Sequence, residues 1–331
     1  MERNLVELPR SLRAFPQVAI RPHAKAHKSA GIGRQQLHLS RAVGLCCQKV
    51  AEAEAMFAGG ITDLLLSNEI VGADRYERMA ALATQGATVT LLFDHADTVA
   101  QAQQIDAASH LVLKGIQAYH GGAQHIRDYA DKTTVILEQV ATKAKRARDA
   151  FVEHGLCCDV VTGGGTGTYL LEARSGVFTE VQPGSYLFHD ADYARNRNAQ
   201  GDFVNDWVQS LFVLTTVMSV NTTASQQRAV VDAGTKAVSL DSGVPLVYSS
   251  IDLRTLPPLV YQGGGDEHGI LVRDPESTDR GVEIPMPSLG QKLLLTPGHC
   301  DPTVNLYDFV VGFRNGVVES VWHIGARGPG N

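Results

Sequence analysis

The feature that most constrains this chain is an alternation. From about residue 18 to residue 185, short apolar runs alternate with stretches of helical composition. The apolar runs fall at 18–24, 44–47, 63–67, 88–93, 112–119, 158–162 and 179–184. The segments between them, such as VAEAEAMFAGG and YERMAALATQ, are rich in helix formers, and Gly59-Gly60 reads as a helix stop. Strand–helix alternation of this kind predicts a parallel sheet with right-handed crossovers. Seven strands with uniformly short connections predict a barrel rather than an open sheet.

After about residue 200 the pattern changes. SLFVLTTVMSV, RAVVDAG, GILVRD, KLLLTPGH and LYDFVVGFRNGVVESVWHIGARG carry strand composition and little helix. Asn315-Gly316 between two apolar runs predicts a hairpin turn. The chain therefore divides into an α/β domain over 17–195 and an antiparallel β domain over 205–331, with the polar stretch DYARNRNAQGDFVND (192–206) at the border.

Length and charge narrow the function classes. A chain of 331 residues supports two domains and needs no disulfide staples. Its net charge of −6 argues against nucleic acid as the main partner, since phosphate-backbone binding needs a basic face. The cysteines are Cys46, Cys47, Cys157, Cys158 and Cys300, an odd number with no C-x-x-C spacing, which reads as reduced thiols in a cytoplasmic setting. No apolar run approaches 18 residues, so no membrane span is expected.

Four constellations can carry chemistry. In RPHAKAHK, an extended backbone would place Arg21, His23, Lys25 and His27 on one face. Crowding by positive neighbours would then lower the Lys25 pKa and favour the neutral amine that Schiff-base chemistry needs. The competing reading is a solvated basic stretch. TGGGTGT, Thr162 to Thr168, follows an apolar run, and its glycines could aim backbone N–H groups at a phosphate. It matches neither a P-loop nor the dinucleotide fingerprint, and a plain glycine turn competes. In PGHCDPTVNLYD, His299 and Asp301 would share a face of an extended segment while Cys300 points away. Nitrogen plus hard oxygen suits Mn²⁺, Mg²⁺ or Zn²⁺, although a His-x-Asp pair alone is commonly only a hydrogen-bonded pair. In QAYHGGAQH, Tyr119 could stack on a planar ring, and His120 and His125 are acid–base candidates; a structural loop competes. His38, His95, His110 and His154 have no supporting pattern.

Together these motifs carry a resemblance. RPHAKAHK, CCQK (46–49), SNEIVG (67–72), QAYHG, TGGGTG, QPGSY (182–186), DAGTK (232–236), DEHG (266–269) and HCDPTVNLYD occur in one order. The chain resembles the D-threonine aldolase and D-serine dehydratase group over residues 17–328. The resemblance implies an alanine-racemase-like fold, an eight-stranded α/β barrel followed by a β domain, and a homodimer. It implies pyridoxal phosphate and a divalent metal as cofactors, and a small D-3-hydroxy-amino acid as substrate. By position, Lys25 matches the lysine that holds the cofactor. Gly163, Gly164, Gly165 and Thr166, with Thr162 before them and Ser185 and Tyr186 beyond, match the phosphate-binding region. Tyr119 matches a residue beside the cofactor ring, His299 and Asp301 match the metal ligands, and His125 matches a histidine near the metal and the substrate hydroxyl. The implied reaction is retro-aldol cleavage to glycine and an aldehyde.

Three details qualify the match. Dehydratase relatives carry Cys two residues after the metal His; here that position is Asp301, which favours the aldolase. The group's N-terminal T-P-x-hydrophobic strand and helix have no counterpart in MERNLVELPR. Its V-E-x-D-x-G-x-x-R-x-G segment, whose arginine sits near the cofactor ring oxygen, is missing between LLFDH and QAYHG. The barrel is therefore expected to lack one strand–helix unit of roughly 30 residues or more. A dehydratase and a non-catalytic cofactor-binding remnant remain as alternatives.

Overall fold

The computed structural model describes residues 1–94, 98–223, 227–249, 255–274 and 286–330; His95 lies outside them. A helix, α1 (Glu2–Ser11), precedes seven short parallel strands: β1 (Ala19–Ile20), β2 (Leu45–Cys47), β3 (Asp63–Leu66), β4 (Thr88–Thr90), β5 (Gly115–Ala118), β6 (Val160–Gly163) and β7 (Glu180–Val181). Six fall inside one of the seven apolar runs, and β6 extends one residue, Gly163, past its own. They pair in register as β1-β7-β6-β5 and as β2-β3-β4. A parallel bridge between His23 and Cys46 joins the two sheets. The order around the sheet is thus β4-β3-β2-β1-β7-β6-β5.

Two strand edges have no partner among the described residues: one side of β4 and one side of β5. The connection between these strands, residues 91–114, holds the helix α5 (Thr98–Asp106) and, among its described residues, no strand. The α/β part is therefore an open barrel. Its seam lies where the sequence lacks a strand–helix unit.

The strands read as apolar runs because both faces are covered. Leu45, Cys47, Leu64 and Leu66 pack beneath Val50, Ala53 and Met56 of α3 (Val50–Ala58) and Met79 and Leu82 of α4 (Ala73–Thr84). α3 stops at Gly59, and Gly60 turns the chain at φ +88°. At the start of the strands, Arg21 Nη1 meets Asp63 Oδ1 (2.5 Å) and Arg21 Nε meets Glu180 Oε2 (2.9 Å). One guanidinium thus ties β1 to both β3 and β7.

The β part contains a closed antiparallel barrel of β8 (Val213–Asn221), β9 (Arg228–Val231), β10 (Leu246–Ser249), β11 (Thr255–Gly263), β12 (Gly269–Arg273) and β13 (Lys292–Thr296), in the order β10-β11-β12-β9-β8-β13. Its interior follows the two-residue period: Val213, Thr215 and Val217 of β8 are inside, whereas Leu214 and Met218 face out. A short helix, α9 (Cys300–Val304), and a hairpin, β14 (Phe309–Arg314) and β15 (Val317–His323), follow. Asn315 and Gly316 make the expected two-residue turn, both with positive φ. This last segment packs back on the α/β part: Val304 and Ile324 join Leu5, Leu8, Ile32, Tyr186 and Trp207 in one core. All five cysteines are free. Among the described residues no helix is long and apolar enough to cross a membrane.

Candidate functional site

Lys25 does not continue β1. Residues Ala24–Ala26 form one turn of 3₁₀ helix, so the two-residue alternation expected for RPHAKAHK ends before the lysine. Pro22 has no N–H to extend the ladder. The expected electrostatics are also overturned. Arg21 is committed to Asp63 and Glu180. His23 accepts from Lys25 N–H (3.3 Å) and meets Ser67 Oγ (2.8 Å), while His27 accepts from Ser29 N–H and meets Gln36 Oε1 (3.0 Å). Burial lowers both imidazoles, to about 3 and about 4, so neither carries charge near Lys25 at neutral pH. The charge nearest Lys25 Nζ is Asp301 Oδ2, at 3.7 Å. Burial pushes the Lys25 ammonium down, but Asp301, and after it Tyr119, outweigh burial and raise it.

Asp301 comes from the β part. His299 is extended and caps α9, and Asp301 lies in that helix's first turn. The pair therefore meets across a helix start rather than along a strand, with His299 Nε2 4.0 Å from Asp301 Oδ1. His299 Nδ1 donates to Asp241 Oδ2 (2.7 Å), which leaves Nε2 to face Asp301. Burial raises the Asp301 carboxyl, yet Lys25 and His299 hold it below the usual range. Cys300 does not point away from this pair. Its buried thiol donates to Asp301 Oδ1 (3.2 Å), and burial pushes it well above the ordinary thiol range, so it stays protonated.

The donor set fits a divalent ion. An imidazole and an ionised carboxylate 4.0 Å apart can both reach one ion, because two metal–ligand bonds of about 2.1 Å span that gap. The Asp241 carboxylate behind the imidazole is the usual outer partner of a metal-bound histidine.

The glycine loop is buried and tightly set. A Cβ on Gly163 would stand 2.2 Å from Ala118 O, one on Gly164 (φ +70°) 3.0 Å from the Glu172 carboxyl carbon, and one on Gly165 2.5 Å from Gln124 Oε1. Gln124 Oε1 accepts from Gly167 N–H, and Thr166 Oγ1 accepts from Tyr186 N–H (2.9 Å). The loop thus holds one conformation, with Ser185 beside it. This cradle of backbone fits a phosphate. Two side chains assigned to it face elsewhere. Thr162 Oγ1 donates to Glu180 Oε1 (2.8 Å) within the barrel. The Tyr186 hydroxyl is buried against Gln36 and Ser40 (both 3.2 Å), so only its backbone borders the loop.

Tyr119, at the end of β5, and His125, at the end of the turn Gly121–His125, complete the set. His125 Nδ1 bonds Asp192 Oδ2 (2.6 Å), and its ring lies 5.7 Å from that of Tyr193. His120 is structural: its Nδ1 accepts from Ala123 N–H (3.1 Å) and caps the turn. Asp192 and Tyr193 lie in the polar stretch at the domain border, and both contact His125. Tyr193 is raised well above 10 by burial and then by Tyr119, Asp301 and Asp190 around it. Asp241 gave no sequence signal. Arg127 bonds Asp192 and Asn196, so it does not stand in for the missing arginine.

Comparison with known proteins finds relatives over the whole chain. A family model described as "Putative serine dehydratase domain" matches residues 210–313. The chain is 40% identical to a 3-hydroxy-D-aspartate aldolase of Paracoccus denitrificans, over all of this chain and 90% of that protein. It is 38% identical to a D-threonine aldolase of an Arthrobacter species, over 94% of this chain and 86% of that protein. The crystal structure of D-threonine aldolase from Filomicrobium marinum superposes with a TM-score of 0.84 at 36% identity, covering 98% of this chain and 92% of that one. An alanine racemase of Clostridium difficile, 12% identical over 97% of this chain and 95% of its own, shares the fold with a TM-score of 0.60. The Paracoccus alignment spans 368 positions against 331 residues, so at least 37 of its positions have no residue in this chain. The fold, the paired site and these identities place the chain in the D-threonine aldolase and D-serine dehydratase group of enzymes.

Proposed function

We propose that this protein cleaves D-3-hydroxy-amino acids such as D-threonine or 3-hydroxy-D-aspartate to glycine and an aldehyde, using pyridoxal phosphate and a divalent metal. The observation that carries this reading is the approach of Lys25 Nζ to Asp301 Oδ2 at 3.7 Å. An amine able to hold the cofactor and a His–Asp pair able to hold a cation face each other from two parts of the fold. When bound, the cofactor supplies an electron sink for the breaking Cα–Cβ bond and the ion supplies a Lewis acid for the β-hydroxyl. Lys25 would hold the cofactor carbonyl, and the 163–166 loop with Ser185 its phosphate. Tyr119 and Tyr193 would flank the ring, and His299 and Asp301 would hold the ion. His125, its Nδ1 occupied by Asp192, presents Nε2 to take the hydroxyl proton.

Carbon–carbon cleavage is favoured over water loss by Asp301 at the second ligand position and by a protonated, buried Cys300. The relatives named as aldolases, at 38–40% identity, support it too, against 27% for a D-threo-3-hydroxyaspartate dehydratase of a Delftia species. A homodimer, cytoplasmic placement and the division at about residues 195–205 belong to the same reading.

Two measurements test it. Pyridoxal phosphate added to the purified protein should give a visible absorbance band that Lys25→Ala abolishes. A chelator should then stop release of glycine and aldehyde from D-threonine while leaving the band in place. A band that survives Lys25→Ala, cleavage that survives chelation, or a 2-oxo acid and ammonia as products would each refute the assignment.

A further inference from the structure

We infer that Asp192 is the positioning residue of His125: it fixes the imidazole tautomer and registers the ring against the His299 segment. This rests on His125 acting as the base. The His125 side chain is half-exposed (49%), so packing alone does not hold it. Among the described residues its one polar tether is Asp192 Oδ2, at 2.6 Å. An ionised carboxylate only accepts, so Nδ1 carries the proton and Nε2 is left as the acceptor.

Asp192 is itself over-determined. Its side chain is 5% exposed. The second oxygen, Oδ1, takes Arg127 Nη2 at 2.5 Å and also Arg195 Nη2. Arg127 Nη1 donates to the Asp192 carbonyl and to Asn196 Oδ1, both at 2.8 Å. Two guanidinium groups on one oxygen leave the other aimed at the imidazole. They also hold the carboxyl below the usual range, against the upward push of burial.

The same residue touches the metal-ligand segment. Asp192 N–H donates to Gly298 O (3.0 Å), one residue before His299, and Ala191 N–H donates to Pro297 O (3.0 Å). Arg195 reaches Ser242 O (2.8 Å), next to the Asp241 that holds His299. One residue therefore links the base from the α/β part to the ligand loop of the β part. A carboxylate placed only to neutralise two arginines would need neither the His125 bond nor the Gly298 bond.

The test uses the holoenzyme and four variants: Asp192→Asn, Asp192→Glu, His125→Gln and Asp192→Asn/His125→Gln. Asp192→Glu keeps the charge that both arginines need, so it remains informative if Asp192→Asn does not fold. His125→Gln should lower kcat by about 10²- to 10⁴-fold. Asp192→Asn and Asp192→Glu should lower kcat at least about tenfold, with KM and the visible cofactor band little changed. The double variant should be no slower than His125→Gln alone, since the two groups act as one unit. In ¹⁵N-histidine spectra, the His125 pattern, protonated at Nδ1 and bare at Nε2, should give way to a mixture of tautomers in Asp192→Asn. A slow His125→Gln enzyme beside variants of Asp192 with normal kcat or an unchanged His125 spectrum would overturn the inference and leave the base in place. Losses that multiply in the double variant would also overturn it. A His125→Gln enzyme at full rate would instead remove the base assignment itself.

Discussion

Glu172 lies under the glycine loop with Oε2 buried and unpartnered among the described residues. Burial pushes its carboxyl from 4.5 up to about 7, against the pull of a Thr168 hydrogen bond and the Lys132 charge. A folded-state pKa above the unfolded value means that folding takes up a proton between them. The stabilisation this gives is complete below about pH 4.5 and is lost as pH rises through about 7. Glu172→Gln removes that dependence. Thermal unfolding from pH 5 to pH 8 should therefore show the variant gaining on the parent, by at most on the order of 3 kcal/mol. A difference constant with pH would contradict the account. Such groups mark the limit of sequence reading. Lys25, His299 and Asp301 were legible because each sits in a short motif. Asp192 and Asp241 were not, because the histidines they hold lie 67 and 58 residues away. The sign of the Lys25 shift is not legible for the same reason: its sequence neighbours are positive, but its spatial neighbour is Asp301.

At the scale of elements, the seven parallel strands and the Asn315-Gly316 hairpin were legible because apolar runs and turn chemistry are local. Strand ends were not. β1 keeps two residues of a seven-residue run, since its partner β7 is equally short and Pro22 ends the ladder. The seam makes β5 dependent on one neighbour. Its only partner among the described residues is β6, in register from Gly115↔Val160 to Ala118↔Gly163. Gly115 has φ +149°, and a Cβ there would stand 1.9 Å from Val160 O. Gly115→Ala should thus detach the start of β5 and cost about 2 kcal/mol or more. Tyr119 and the turn that carries His125 follow directly, so cleavage should fall while the cofactor band of Lys25, on β1's side of the barrel, persists. Urea unfolding and the visible spectrum read the two effects separately, and a variant with full activity would show that β5 is held from elsewhere.

For the whole molecule, the site exists only where the two parts meet. The α/β part brings Lys25, Tyr119 and His125; the β part brings His299, Asp301 and Asp241. Neither half holds both the amine and the His–Asp pair of the proposed site. The docking of the parts is therefore a functional variable as well as a structural one. Lys28, at φ +49° and three residues beyond Lys25, the proposed cofactor lysine, is a principal tie. Its Nζ donates to Asn305 Oδ1 (2.8 Å) and Gly328 O (3.2 Å) in the β part and lies 3.5 Å from the buried Glu52 Oε1 in the α/β part. Asn305 also caps α9, the helix that carries Asp301. Lys28→Met keeps the aliphatic stem and removes the charge, leaving Glu52 buried without its cation, which should cost about 3 kcal/mol. The loss should not be uniform. Lys25 and the glycine loop stay within the α/β part, so cofactor absorbance should be retained where the protein is folded. The His299–Asp301 pair loses one of its anchors to that part, the one at the far end of α9, so Mn²⁺ affinity and cleavage should fall together. Calorimetric titration of the chelated variant with Mn²⁺, beside its visible spectrum, measures the two responses. Equal weakening of cofactor and metal would mean that Lys28 serves global stability alone, and unchanged Mn²⁺ affinity would mean that the open barrel and the β part are registered by the Leu5–Ile324 core without it.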